Sequence, residues 1–440
     1  MYVKVLVFCI FFSVATYSIF PYCTSDLDLS PYSGTQKAPE IQSIQCDPDI
    51  APFYIYDLPE RFNEALLSNC SNLDPWVRLD ERRRRRRKMG RKKNYKQFKL
   101  FTKLHTSQYF FPLLPFFPSS HTYPNAHHGG ICALMLKTMA WANHLTNQAS
   151  SWYNTFQFTA DLIFHARAIN HPCRTHDRSS ALMFYIPFYA SLYASSVSNE
   201  NNLTRRDAMA VDLVDHISKI PSDAGSLVTK RLSTLLQDCQ VKAEITTWQG
   251  EVRHSKRTHL FSFVGGARHK GHGAEKYRSA VISQCNSTDS CLLVLCKYWT
   301  SAWDAADEIL GAMKQAHFCL QPPGDTSTRR SIFDSILAGC VPVFFTELTA
   351  YSQYTWYIPE RREDWSVLIG PDQLDRIEDV LSQIPEKEVK QMREVVIRMI
   401  PQVTYMHPKA NSNEVNFRDA VDVALVELTK RALRINTNSV

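Results

Sequence analysis

Apolar residues along this chain follow two alternating patterns, which together predict an α/β protein with parallel sheets. Short continuous runs, such as residues 181–188 and 260–264, are typical of strands that are buried on both faces. Longer segments between such runs have apolar residues at helical spacing. Helices are expected over residues 156–168, 205–220, 301–315, 387–400 and 417–433.

The most informative stretch covers residues 317–345 and predicts a strand, a loop, a helix and a second strand. Its first apolar run stops at Pro322-Pro323-Gly324, because prolines cannot continue a strand ladder. Hydroxyl groups at residues 326–328 are candidate caps for the helix that follows. Gly339 fits the left-handed position at which such a helix ends.

Two arginines, Arg329 and Arg330, are expected in the first turn of this helix, where the helix dipole disfavours cations. Guanidinium groups beside free backbone N–H groups suit a phosphate or a diphosphate. The alternative is that Arg330 only pairs with Asp334, one turn later. Asp325 is expected either to bind a sugar hydroxyl or to cap the helix. The predicted anion site comprises Gly324, Asp325, Thr328, Arg329, Arg330 and Asp334.

A second candidate for anion binding follows the expected strand at residues 260–264. This strand ends at Gly265-Gly266, and Arg268 and Lys270 come directly after it. Loops at the carboxyl ends of parallel strands meet in one crevice, so both pairs of cations are expected to bind the same diphosphate. The alternative is that they are unrelated surface residues.

Composition indicates two domains, since 440 residues with 44% hydrophobic content can bury a large core. The net charge of +7 is concentrated in residues 81–93, which carry ten positive charges and one negative charge. The remainder is nearly neutral, so no general surface for nucleic acid is indicated. The basic run fits nucleic-acid binding, a nuclear signal or a solvated insertion, and the apolar N-terminus favours the insertion.

The N-terminus and the sequons predict a secretory location. Residues 5–22 form an apolar segment without a clear cleavage site, which predicts a signal anchor. A short cytosolic tail and a large lumenal body correspond to type II topology. Sequons at Asn69, Asn202 and Asn286 predict N-glycosylation, which requires the secretory lumen.

The twelve cysteines fit an oxidising compartment. Cys285, Cys291 and Cys296 are clustered in polar sequence and are candidates for pairing, while a zinc site is less well supported. Cys319 and Cys340 lie in apolar runs and are expected to be buried as small hydrophobic residues.

Other catalytic signals are sparse. The Asp-x-Asp patterns at residues 26–28 and 47–49 lie in or near a polar stem, and two histidine pairs lack carboxylate partners, so no metal site is predicted. His165, on an expected helix, is a candidate general base because imidazole accepts a proton near neutral pH. A packed structural histidine is the more frequent alternative.

Several long motifs resemble the plant exostosin-type glycosyltransferases, and within them the xyloglucan galactosyltransferase-like clade. The resemblance rests on FCLQPPGDTSTRRSIFDSILAGCVPVFF (318–345), IYDLPERFNEALLSNC (55–70), QFTADLIFHARAINHPCRT (157–175), FYIPFYASLYASSV (184–197), LFSFVGGAR (260–268) and QMREVVIRMIPQVTYMHP (391–408). It implies a GT-B fold, in which two Rossmann-like domains face a cleft, in a Golgi type II membrane protein. It also implies a UDP-sugar donor held without a metal cofactor by the C-terminal domain, and transfer with inversion to a polysaccharide.

Hydropathy and composition predict a signal anchor (1–22) and a stem (23–50), and the resemblance implies an N-terminal acceptor domain (51–245) and a C-terminal nucleotide-sugar domain with closing helices (246–440). Residues 76–151 are expected to depart from the family pattern. The chain between residues 222 and 247 is too short for a family segment that contains a Gly-Gly-x-Asp-His-Phe motif. The first hypothesis is therefore a Golgi galactosyltransferase that acts on xyloglucan or a related polysaccharide. The alternative is a catalytically inactive paralogue that serves as a binding or scaffold subunit of Golgi transferase complexes.

Overall fold

The computed structural model describes residues 6–11, 45–67, 160–197, 200–219, 230–231, 238–239, 242–267, 273–295, 306–324, 327–406 and 417–437. Within them, parallel strands alternate with helices, so the α/β class with parallel sheets is confirmed. The strands are β1 (Leu6–Phe11), β2 (Phe53–Ile55), β3 (Arg174–Thr175), β4 (Met183–Ile186), β5 (Lys230–Arg231), β6 (Asp238–Cys239), β7 (His259–Gly265), β8 (Cys291–Leu295), β9 (Ala316–Gln321), β10 (Val341–Phe344), β11 (Val367–Leu368) and β12 (Tyr405–Met406). The helices are α1 (Ala160–Ile169), α2 (Ala190–Ser196), α3 (Leu203–Ser218), α4 (Lys242–His254), α5 (Glu275–Asn286), α6 (Ala306–Lys314), α7 (Ser331–Leu337), α8 (Ala350–Gln353), α9 (Ile377–Ser382), α10 (Glu386–Met399) and α11 (Ala420–Thr437).

Two five-stranded parallel sheets form the framework. The first has the order β3-β2-β4-β1-β5, and the second has the order β11-β10-β9-β7-β8. The short strands β6 and β12 pair separately, also in parallel. The expected helices and buried strands are found within a few residues of their predicted bounds, because each has a strong apolar period.

The second sheet is covered on both faces, as its continuous apolar strands predict. Successive residues of β9 point to opposite faces, so Phe318 and Leu320 pack in one apolar cluster while Cys319 packs in the other. Helices α6, α7 and α10 contribute buried apolar residues to the cluster that contains Cys319. This arrangement fixes the carboxyl ends of β7 and β9, where the predicted anion residues follow.

The C-terminal helix α11 joins the two halves of the molecule. It contacts α1 and β4 of the first half, and one apolar cluster continues from the first sheet through α11 to the second sheet. Arg167 of α1 is 1% exposed and donates a hydrogen bond from Nε to Asp419, at 3.1 Å. His171 lies 2.9 Å from Asp422, which is also largely buried.

Disulfides correct one expectation about the cysteines and confirm another in part. Cys319 and Cys340 are buried, as predicted, but they form a disulfide rather than packing as free thiols, because adjacent parallel strands bring their Cα atoms to 5.8 Å. Cys285 pairs with Cys291, while Cys296 lies outside the described residues. A third disulfide joins Cys46 to Cys173.

The N-terminal region differs from expectation where the structure describes it. Leu6–Phe11, within the predicted signal anchor, form strand β1 between β4 and β5, since a short apolar run also suits a buried parallel strand. Within the described part of the chain, no helix is long and apolar enough to cross a membrane. The end of the predicted stem belongs to the folded body: Ile50 is buried, and Asp47 and Asp49 accept hydrogen bonds from Arg418.

Candidate functional site

Two loops leave the same edge of the second sheet. Strands β7 and β9 are neighbours in parallel register, with Phe261 opposite Phe318. Their chains continue into Gly265-Gly266 and Pro322-Pro323-Gly324, so these two predicted loops do converge. Arg268, Lys270 and Asp325 lie outside the described residues, and their roles stay predictions.

Arg329 lies directly over the backbone of the second loop. A Cβ atom built on Gly324 would come within 2.7 Å of the Arg329 guanidinium carbon, so glycine leaves the space that this guanidinium fills. The guanidinium is therefore held at the carboxyl end of β9, where the sequence predicts the diphosphate.

Arg330 and Asp334 form the pair that the alternative interpretation expected. Arg330 Nε lies 3.1 Å from an Asp334 carboxylate oxygen, and the two side chains are 11% and 6% exposed. Burial raises the pKa of Asp334 to about 6, although the positive charge of Arg330 opposes this shift. Asp334 is thus the buried partner of Arg330, which lies at the start of the helix.

The start of α7 differs from the predicted one. The helix begins at Ser331 with Arg330 as its N-cap, and no side chain caps it, so Thr328 is a buried loop residue rather than a cap. Both arginines precede the first turn because the loop is longer than expected. The Ser331 hydroxyl donates to Gln321 Oε1 at 2.5 Å, which ties the helix start to the end of β9. The predicted glycine end is confirmed, since Gly339 has a φ of 59°.

Sequence reasoning missed Arg278, a buried residue of α5 that contacts both loops. Its Nε donates to the carbonyl of Pro323 at 2.9 Å, and its Nη1 donates to the carbonyl of Gly266 at 2.6 Å. An arginine on the helix that follows a Gly-Gly loop is the one available signal, and alone it does not distinguish a buried arginine from an exposed one.

His165 lies in the first half, on α1. Its Nδ1 is 3.0 Å from the Tyr189 hydroxyl, and its ring contacts the rings of Tyr185 and Tyr189. Burial lowers the pKa of His165 to about 4, so the imidazole is neutral at physiological pH. Its neighbour Arg167 turns inward to Asp419 and does not share its surroundings.

Two of the three predicted glycosylation sites are described, and both asparagines are exposed. Asn202 caps α3 through its Oδ1, which accepts from Arg205 N at 3.3 Å and leaves the amide nitrogen available. Asn286 is the last residue of α5, and Asn69 lies outside the described residues. Among the side chains that the structure describes, no group of three or more His, Cys, Asp or Glu residues is placed to hold a metal ion.

Comparison with known proteins identifies the family. The model of the Exostosin GT47 domain matches residues 51–222 and 232–384, which is most of the chain. The chain belongs to the exostosin GT47 family. It is therefore a glycosyltransferase, as its motifs predicted. The first matched segment includes residues 76–151, which we expected to depart from the family pattern, and the interruption falls inside the shortened stretch between residues 222 and 247.

Curated relatives from Arabidopsis thaliana cover most of this exostosin GT47 chain. The probable xyloglucan galactosyltransferase GT17 is 34% identical over 86% of this chain and 82% of its own length. The xyloglucan galactosyltransferase MUR3 is 32% identical over 66% of this chain and 55% of its own length. The xyloglucan-specific galacturonosyltransferase 1 is 26% identical over 86% of this chain and 56% of its own length. The solved structure of the pneumococcal O-GlcNAc transferase GtfA in complex with UDP and GlcNAc aligns with 66% of this chain and 64% of its own length at 9% identity. Its TM-score is 0.22, which is too low to support a structural comparison.

Proposed function

We propose that this exostosin GT47 glycosyltransferase transfers galactose from UDP-galactose, with inversion, to xyloglucan or a related cell-wall polysaccharide. The supporting observation is the convergence of two loops at the carboxyl ends of β7 and β9, with Arg329 over one of them. The names of several relatives, which are xyloglucan galactosyltransferases, support the donor sugar and the acceptor. We further propose a GT-B arrangement, for which the two parallel sheets supply the two halves.

In this proposal, arginine side chains do for the departing diphosphate what a metal ion does in other transferases. Guanidinium groups bind phosphate oxygens in pairs and keep their charge at any physiological pH. Arg329 and Arg330 come at the end of the loop after β9, and Arg268 and Lys270 follow β7 in sequence. Charge that develops on UDP as the glycosidic bond breaks is stabilised by these groups. Turnover is thus expected to persist in the presence of a metal chelator.

The test measures release of UDP and transfer of labelled sugar by the full-length chain in detergent-solubilised membranes. A panel of UDP-sugars is offered with and without xyloglucan oligosaccharides, and an Arg329→Ala/Arg330→Ala variant is assayed in parallel. Loss of two charged contacts to the diphosphate should lower kcat/KM by at least about a hundredfold. The matched control is Arg361→Ala/Arg362→Ala, another adjacent arginine pair, whose side chains are 77% and 41% exposed and pair with surface carboxylates, while Arg362 also lies over the ring of Tyr351. Equal loss in both double variants would contradict the proposed site.

The inactive paralogue remains a second candidate because of the shortened stretch between residues 222 and 247. Acceptor-side residues are expected in the missing family segment. A wild-type chain that binds UDP, with binding abolished in the Arg329/Arg330 variant, but that transfers no sugar to any acceptor would favour this scaffold function.

We also propose His165 as the base that takes the proton of the acceptor hydroxyl. An inverting displacement needs an unprotonated base, and the lowered pKa of about 4 keeps His165 unprotonated while making its imidazole a weaker proton acceptor than a free histidine. Replacement by Gln should then abolish transfer while UDP binding is retained. If His165 instead only packs against Tyr185 and Tyr189, His165→Gln should lower the melting temperature and leave kcat per folded molecule unchanged.

For location, we propose a Golgi type II protein whose body lies in the lumen. The disulfides among the described residues and the exposed sequon asparagines Asn202 and Asn286 are features of chains that fold in the secretory pathway. Residues 5–22 would be the membrane anchor, and this requires Leu6–Phe11 to leave the first sheet, because paired backbone cannot also form a spanning helix. Replacing residues 1–22 by a cleavable signal should release a folded, glycosylated protein into the medium. Misfolding of that product would show that β1 is needed in the sheet.

A further inference from the structure

Arg278 is a buried cation at the edge of the second sheet where the two loops emerge, and only 6% of its surface is exposed. Two of its N–H donors bind backbone carbonyls, those of Pro323 and Gly266. Because one guanidinium bonds to a carbonyl of each loop, it holds the two loops together. Arg278 therefore has a positional role.

The geometry of the guanidinium makes this contact rigid. The group is planar, and its N–H donors have fixed directions, so bonding to both carbonyls fixes the distance between the loops. Pro323 is followed directly by Gly324, over which Arg329 lies. The position of Arg278 therefore decides where the backbone under Arg329 sits relative to the loop after β7.

The first loop is shaped to receive this guanidinium. A Cβ atom on Gly265 would lie 3.2 Å from Arg278 Nη1 and 3.0 Å from the ring of Phe263. The same ring faces the guanidinium carbon, at 5.7 Å from the centroid. Only glycine at this position lets the loop approach the guanidinium so closely without displacing it.

We propose that Arg278 is a positioning residue for the donor: it sets the spacing of the two loops so that Arg329 is held at the diphosphate. The proposal rests on the proposed function, because it assigns the loops to the donor. It predicts a defect that is specific to the nucleotide sugar. Replacing a residue that only stabilises the fold would instead lower the amount of active enzyme. The KM for the UDP-sugar and the KM for the acceptor would then both be unchanged.

The test compares Arg278→Lys with wild type in the full-length chain. An ammonium group lacks the planar fork and cannot hold both carbonyls at their present spacing, so the KM for the UDP-sugar and the Kd for UDP should both rise about tenfold. The KM for the oligosaccharide acceptor should be unchanged. Gly265→Ala, which keeps Arg278 but crowds its Nη1, should give a smaller shift in the same two constants.

The matched control is Arg257→Lys. Arg257 is also an arginine that donates to backbone carbonyls, including those of Ala316 and Ala338, but it lies where β9 begins, at the opposite end of that strand. The Arg257→Lys variant should have a lower melting temperature than wild type and an unchanged KM for the donor. An unchanged donor KM in folded Arg278→Lys and Gly265→Ala would overturn the role of Arg278 alone. If wild type neither bound UDP nor turned over, the proposed function and this inference would fail together.

Discussion

The two sheets of this glycosyltransferase are assembled in different ways. In the second sheet, β7 to β11 follow one another within residues 259–368, and each crossover is short. In the first sheet, β1 comes from the start of the chain and pairs with β4, so that Leu6 lies opposite Met183. Contacts between distant segments are entropically costly to form. The half that carries the proposed anion-binding residues is thus specified locally, whereas the first half depends on long-range contacts.

Disulfides sharpen this comparison, because their sequence separations differ. Cys46–Cys173 spans 127 residues, whereas Cys319–Cys340 spans 21. In the chain-entropy description, the stabilisation grows with the logarithm of loop length, to about 5 kcal/mol for the first and about 3 kcal/mol for the second. We expect Cys46→Ser/Cys173→Ser to unfold the first half at lower denaturant than the Cys319/Cys340 double serine variant unfolds the second. Urea unfolding followed by hydrogen exchange shows which half of each variant loses stability. Equal losses of unfolding free energy in the two variants would show that the halves are not assembled differently.

The joint between the halves should also be sensitive to loss of one buried charge. Arg167→Ala leaves Asp419, which is fully buried, without its guanidinium partner, at an expected cost of about 3–5 kcal/mol. Arg418→Ala is the matched control, since Arg418 also joins the halves but is 39% exposed, and its loss should cost at most about 1 kcal/mol. Chemical denaturation of both variants provides the measurement. Similar small losses would mean that the buried pair of Arg167 and Asp419 contributes little to the joint.

The sequence predicted the second half better than the first, for a physical reason. Strong apolar periods and the Pro-Pro-Gly loop locate β9, α7 and β10 from adjacent residues alone. Nothing local indicates that residues 6–11 pair with β4, because a short apolar run fits a strand and a membrane segment equally well. The Cys319–Cys340 disulfide was missed for the same reason, since strand register is a property of the sheet.

The candidate site was predicted in part. Residue types at strand ends predicted that the two loops lie together and that Arg329 lies beside one of them, while binding of a phosphate by Arg329 stays a prediction. Arg278 was not, because its role depends on burial and on two carbonyls that are 12 and 45 residues away in the chain. Such a residue has no motif of its own, and only the packed structure shows which backbone groups it binds.

Replacing Gly324 separates the position of Arg329 from the stability of the second half. In Gly324→Ala, the added methyl group meets the mobile end of Arg329 rather than backbone, so the side chain can move away at little cost to folding. We expect the KM for the donor to rise about tenfold, because Arg329 would no longer occupy the position at which we propose that it binds the diphosphate. The melting temperature should change by no more than a degree or two. Gly250→Ala, on an open helical surface, is the control: it should leave the KM for the donor unchanged and raise the melting temperature slightly, because alanine favours the helix.

Asp334 should give the second half a distinct dependence of stability on pH. Burial raises its pKa to about 6 from a reference of 3.8, so between those values the native state holds a proton that the unfolded chain has released. The contribution of this carboxyl to stability is therefore largest at low pH and falls as pH rises through that window, by up to about 1 kcal/mol per pH unit. Asp334→Asn cannot titrate, so the free energy of unfolding of wild type minus that of the variant should decrease from pH 4 to pH 6. A difference that stays constant across this range would mean that Arg330 keeps the carboxylate charged throughout, and that the pair is a permanent ionic contact at the helix start.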